Sequence, residues 1–373
     1  MRRFYTICLL FFMLLAQNGF SQGRTIDDER TLETKIADLL NEMPAGRISE
    51  KDALMEDMIA LGREGILGFI NLLTPPQEGG DANVRYALGS LTKYVTSGAS
   101  ANHREMVSRA LITSLEREPN PAIKGFLMKQ IEKVGGNEAV PVLANYLRNS
   151  ETFAEFVNEY SGKLRKLSLR ALANSGSPEA KEVLMDAARS NNFKYAPDNA
   201  VASLLHYASR LGVRGHMEQM KSLCYTVIDE CNEKELIHTR IRALNVLVTY
   251  SGNEALGEVM EALESPYQEY RVAALSLTED LQGEYIRQRL MDAYYKQGPQ
   301  VKAELIHAFA ERGDVSAIHL IENALKHESQ TVREEAIPAI AKLAGEKSVS
   351  GLAGILKQGR STEVKLAKQA LLT

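Results

Sequence analysis

The 373-residue chain has no tryptophan, and aromatic residues make up only 6% of it. Secreted glycan binders often stack sugars on ring faces, which offer a large apolar surface. Here that option rests on tyrosine alone. Cysteine is equally scarce. Of three, Cys8 lies in an apolar N-terminal run, leaving Cys224 and Cys231. In one continuous helix those two would stand roughly 10 Å apart by rise per residue, beyond the reach of a disulfide. Two free, mostly buried thiols are expected. No His-Glu-x-x-His, Gly-x-Ser-x-Gly or Gly-x-x-x-x-Gly-Lys-Ser/Thr motif occurs. That removes the zinc helix, the nucleophile elbow and the phosphate loop. Ser90-Leu91-Thr92-Lys93 matches Ser-x-x-Lys but lacks the partner motifs, and Gly62, Gly65 and Gly68 have the wrong spacing for a dinucleotide turn. Apolar residues do not alternate as strands require. The net charge of −4 gives no basic stripe for nucleic acid.

One apolar run does stand out. Arg2 and Arg3 precede Tyr5–Ala16, a stretch too short to span a bilayer comfortably, and Gly19-Phe20-Ser21 follows with small residues at cleavage positions. Residues 1–21 therefore read as a signal peptide cut before Gln22, and the protein as exported, to the periplasm or beyond. Losing Arg2 and Arg3 makes the mature chain two charges more negative. No later run is long and apolar enough to span a membrane, so no membrane association is expected after cleavage. Residues 22–30 are polar and expected to be disordered.

From Thr31 onward, apolar residues recur at three and four. In the C-terminal third the pattern repeats every 31 residues. Arg240, Arg271, Lys302 and Arg333 fall at that step, as do Ala243/Ala274/Leu305/Ala336, Leu244/Leu275/Ile306/Ile337 and Ala262/Ala293/Ala324/Ile355. A period of this length marks a stacked helical array. Each unit reads as two helices joined by a short turn, with turns near Gly252, Gly283, Gly313 and Gly345. Earlier units turn at Gly135-Gly136-Asn137, Ser175-Gly176 and Gly212, with longer loops at residues 149–162 and 190–198. The expected fold is all-α, a superhelical α-solenoid of stacked antiparallel helix pairs. Residues 31–118 form a less regular helical segment, and residues 119–373 the array, whose last repeat is incomplete.

Val332-Arg333-Glu334-Glu335-Ala336 through Leu343-Ala344-Gly345, then Val349–Leu356, resembles the HEAT-like (ARM-like) repeat family. Val301-Lys302-Ala303 through Gly313-Asp314, and Leu164-Arg165 through Gly176, share that frame. The resemblance spans about residues 120–373 and implies a protein-binding scaffold. A fainter one lies upstream, in Ala60-Leu61-Gly62, Leu73-Thr74-Pro75-Pro76 and Asp81–Val95. It resembles the start of large secreted Bacteroidota proteins, in which a HEAT-like array precedes a domain related to 3-keto-disaccharide hydrolases. That implies an alternative role, an accessory arm to a carbohydrate-active domain in the same or a neighbouring chain. The chain also stops partway through an expected repeat, as an N-terminal piece or a truncated product would.

In HEAT-like arrays the second helices line the concave surface, so the resemblance directs attention to their exposed rows. Those rows are Glu261/Asp292/Asn323/Gly354 and Glu258/Arg289/Leu320/Gly351. With Tyr295, expected to be exposed beside a buried Tyr294, they give Glu258, Glu261, Arg289, Asp292, Tyr295 and Asn323 as the candidate binding residues for a protein partner. The basic row is expected to bridge repeats, pairing with acids near the preceding turn. Family members that are enzymes set further tests. Deoxyhypusine hydroxylase uses several His-Glu pairs, where this chain has one, His327-Glu328. Glu235/His238 and Glu304/His307 share a helix face at di-iron spacing, yet their separation is not a whole number of repeats. No catalytic residue, metal or cofactor is expected.

Overall fold

The computed structural model describes residues 29–98, 100–148, 159–196 and 199–372. The expected signal peptide, most of the following polar segment and parts of both long loops lie outside them. The described residues form twenty α-helices: α1 (Leu32–Asn41), α2 (Ile48–Ala60), α3 (Gly62–Asn71), α4 (Ala82–Tyr94), α5 (Arg104–Arg117), α6 (Pro121–Val134), α7 (Val140–Arg148), α8 (Glu159–Ser175), α9 (Pro178–Ser190), α10 (Ala200–Val213), α11 (Met217–Glu230), α12 (Ile237–Ser251), α13 (Leu256–Ala262), α14 (Gln268–Ser276), α15 (Glu284–Lys296), α16 (Pro299–Arg312), α17 (Ile318–Ala324), α18 (Gln330–Ala344), α19 (Val349–Gln358) and α20 (Ser361–Ala370). The fold is an all-α solenoid.

Helix starts and stops follow from local chemistry. Asn120 caps α6, its side-chain oxygen accepting from the amides of Ala122 (2.9 Å) and Ile123 (3.2 Å). Pro121 takes the first helical position, where a missing N–H costs nothing. Asn199 caps α10 in the same way. Gly313 ends α16 with φ +70°, and the Asp314 amide reaches back to the Phe309 carbonyl (3.0 Å). That is the left-handed stop that glycine adopts without a Cβ penalty.

The 31-residue rows are buried as the periodicity requires. Leu244, Leu275, Ile306 and Ile337 are all inside, with Ala243, Ala274, Leu305 and Ala336 beside them. They belong to one core that runs from Ile36 to Ala367, so each helix pair borrows its interior from its neighbours. Cys224 and Cys231 are free and buried, and burial pushes both thiols up to about 12.

Two rows of helices run along the stack. From α4 onward the even-numbered helices lie against one another, most closely α6 on α8 and α16 on α18. Beyond α5 the odd-numbered helices barely meet. Each odd helix instead packs on the even helix that follows it, as α11 does on α12 and α19 on α20. The even row is therefore the more closely packed of the two.

Candidate functional site

The candidate ladder stands on α13, α15 and α17. Glu261, Asp292 and Asn323 are exposed there. Glu258 is half-buried and accepts a hydrogen bond from the Tyr225 hydroxyl (2.7 Å). Arg289 lies beside the Tyr285 ring, 5.9 Å from its centroid. Tyr295 is 67% exposed and meets the buried Tyr294 edge-on, with centroids 5.5 Å apart. Leu320, expected on the row with Glu258 and Arg289, is only 3% exposed and interrupts that row. These helices belong to the more loosely packed row.

The basic row bridges repeats, though with different partners than expected. Arg271 and Glu304 form a two-pronged pair, Nε to Oε2 at 2.8 Å and Nη2 to Oε1 at 2.7 Å, with side chains 8% and 5% exposed. Arg333 donates from Nε and Nη2 to one oxygen, Oε1, of Glu363 (3.1 and 2.9 Å). Both acids sit on the next even helix. The preceding turn contributes carbonyls instead: Ser265 to Arg271 (2.8 Å), and His327 and Glu328 to Arg333 (2.7 and 2.8 Å). Arg240 and Lys302 lie over the rings of Tyr270 (4.4 Å) and Tyr294 (5.4 Å), where a cation is attracted to the ring face. Glu304 is thus committed to Arg271, while His307 is exposed and meets Glu335 through Nδ1 (2.8 Å). Glu304 and His307 line one groove on α16 but engage different partners.

On the closely packed row, α14, α16 and α18 enclose a groove of about 270 Å³. Its walls include Val272, Glu279, Gln300, His307, Glu311 and Glu335. Val272 is 43% exposed, an apolar side chain in an acidic setting. Sequence reasoning, directed to the second helices, did not point to this groove.

A cavity of about 1100 Å³ lies where the C-terminal ends of α4, α6, α8 and α10 reach one edge of the stack. Arg104, Arg210 and Arg214 line it together with the Gly135-Gly136 and Ser175-Gly176 turns. No signal in the 31-residue pattern points to it, because it precedes the regular copies.

Residues 287–372, from within α15 to the end of α20, match a family model described as HEAT repeats. No curated protein matches the chain. Among solved structures, the crystal structure of an engineered protein from the Northeast Structural Genomics Consortium aligns with 14% identity and a TM-score of 0.34, over 91% of this chain and 98% of that one.

Proposed function

We propose that this solenoid, with its HEAT-like repeats, is an exported, non-catalytic scaffold that holds a protein partner on its closely packed helix row. One observation carries the reading: the groove across α14, α16 and α18, where exposed Val272 sits among Glu279, Glu311 and Glu335. At about 270 Å³ it falls just below the ~300 Å³ at which small-molecule pockets begin. It suits one or two side chains of a partner rather than a whole ligand. Glu311 is matched by Lys342 (2.7 Å) and Glu335 by His307, while Glu279 has no cationic partner among the described residues. The remaining charge favours a basic segment with an apolar anchor, and a few such contacts dominate most interfaces. Export is supported by Arg2-Arg3, the apolar run after them and the small residues at 19–21.

The test is pull-down from periplasmic extract with two charge-reversed proteins. Val272→Asp with Glu279→Lys alters the groove. Glu261→Lys with Asp292→Lys alters the ladder. Loss of the captured partner in the first alone is expected. Loss in the second alone would overturn the groove reading and return the site to the ladder. Cell fractionation checks export, and a cytoplasmic mature-size product would defeat it.

A further inference from the structure

The edge cavity formed by α4, α6, α8 and α10 does not belong to the groove across α14, α16 and α18, and its charges do not cancel. Arg104 donates to Glu138 (3.0 Å) and to the Val134 carbonyl. Arg109 is paired with Glu105 (2.6 Å), and Glu132 with Arg170 (2.9 Å). That leaves Lys133, Arg210 and Arg214 without a carboxylate partner among the described residues. Lys133 donates only to the Gln130 side chain (3.0 Å), and Arg214 only to the Ser175 carbonyl (3.0 Å). The Arg210 side chain donates no hydrogen bond among the described residues, and its Nε is buried without an acceptor.

Packing arguments alone do not account for this set. Cations near a helix C-terminus are favoured by the helix dipole, and the end of α10 provides one. The dipole, however, supplies no acceptor to a buried Nε, and guanidinium donors are costly to bury unmatched. Arg210 and Arg214 also lie four residues apart on one helix face, a like-charge arrangement that is unfavourable when nothing neutralises it. Partial burial, followed by the positive charge of Arg210, pulls Arg214 below the usual arginine range. The backbone beneath is cut to fit. A Cβ on Gly176 would lie 1.8 Å from Arg214 Nη1, and one on Gly136 would lie 3.1 Å from the Arg104 guanidinium. The two turns are bare where the guanidinium groups rest on them.

We propose that this pocket binds a small polyanion, a molecule carrying two or more carboxylate or phosphate groups, with Arg210 and Arg214 as the principal donors and Lys133 as a third. The planar guanidinium fork matches both oxyanions in two-pronged geometry. A volume of about 1100 Å³ is at the upper end for small-molecule sites, ~1,000 Å³, and accommodates a multivalent ligand rather than one inorganic ion.

Calorimetric titration of the full mature protein at low ionic strength tests this, with citrate and inorganic pyrophosphate as separate probes. Saturable binding of at least one is expected, weakening as salt rises. The probe that binds tells carboxylate from phosphate. Arg210→Gln should weaken binding at least about tenfold, the scale of one charge-assisted bond, while leaving the unliganded melting temperature unchanged or higher. Lys133→Gln, at an exposed position, should weaken it less without affecting folding. The proposal is overturned if neither probe saturates, or if Arg210→Gln binds as tightly as the parent. A lowered melting temperature in unliganded Arg210→Gln would also overturn it, by showing that the arginine serves the fold.

Discussion

Arg271 and Arg333 perform one task at two places in the array, and their partners show what a repeat period hides. The cations keep a strict step, so the row was legible as Arg240, Arg271, Lys302 and Arg333. The acids do not keep it. Glu304 lies 33 residues beyond Arg271, whereas Glu363 lies 30 beyond Arg333. A carboxylate on a flexible side chain can serve from either register, so periodicity could not find it. The Arg271–Glu304 pair is almost fully enclosed, and its energetics are asymmetric. Replacing one partner strands a buried charge, whereas replacing both with apolar groups need not. Glu304→Gln is expected to cost ~3–5 kcal/mol, read as a lower urea midpoint for the C-terminal helices. Arg271→Met combined with Glu304→Leu should recover most of that loss. If the double variant is no more stable than the single one, the pair does more than neutralise itself.

At the scale of helices and turns, most of the fold was legible. Apolar spacing located the helices to within a few residues, and Gly252, Gly283, Gly313 and Gly345, expected at the regular turns, all take a positive φ, whereas Gly212, expected as a turn, lies inside α10 and the positive φ falls at Gly215. The phase of the pairs was not legible. A period stays the same whichever helix is taken to begin the unit, and only packing between helices distinguishes the closely packed row from the looser one. The ladder of Glu258, Glu261, Arg289, Asp292, Tyr295 and Asn323 was therefore sought on the second helices, and the groove beside Val272 went unseen. Close approach between even helices leaves its own mark in Gly212 of α10. A Cβ there would stand 2.4 Å from Cγ of Tyr250 on α12. Gly212→Ala should therefore force Tyr250 aside and cost about 1–3 kcal/mol, the usual range for overpacking. Pairing it with Tyr250→Leu should relieve the strain. Thermal melts of the three proteins measure this, and an undiminished melting temperature for Gly212→Ala would mean that α10 and α12 are further apart.

For the whole molecule, stability is a sum of neighbour terms rather than one cooperative total. Leu244→Ala in α12 removes a side chain that is fully buried in the continuous core, at a cost of ~2–5 kcal/mol. Its effect should stay local. Hydrogen exchange should accelerate in α10–α14 while α17–α20 keep the parent's protection. Uniform acceleration along the chain would show a single cooperative unit instead. The unequal spacing of the two helix rows has a mechanical consequence. The even row, already in close contact, resists further compression and acts like the inextensible strip of a bent beam. The odd helices, with gaps between them, can spread or close at little cost. Changes in curvature are therefore taken up in the odd row, while distances along the even row stay nearly constant, so the solenoid can flex while the spacing of side chains on the even helices is kept.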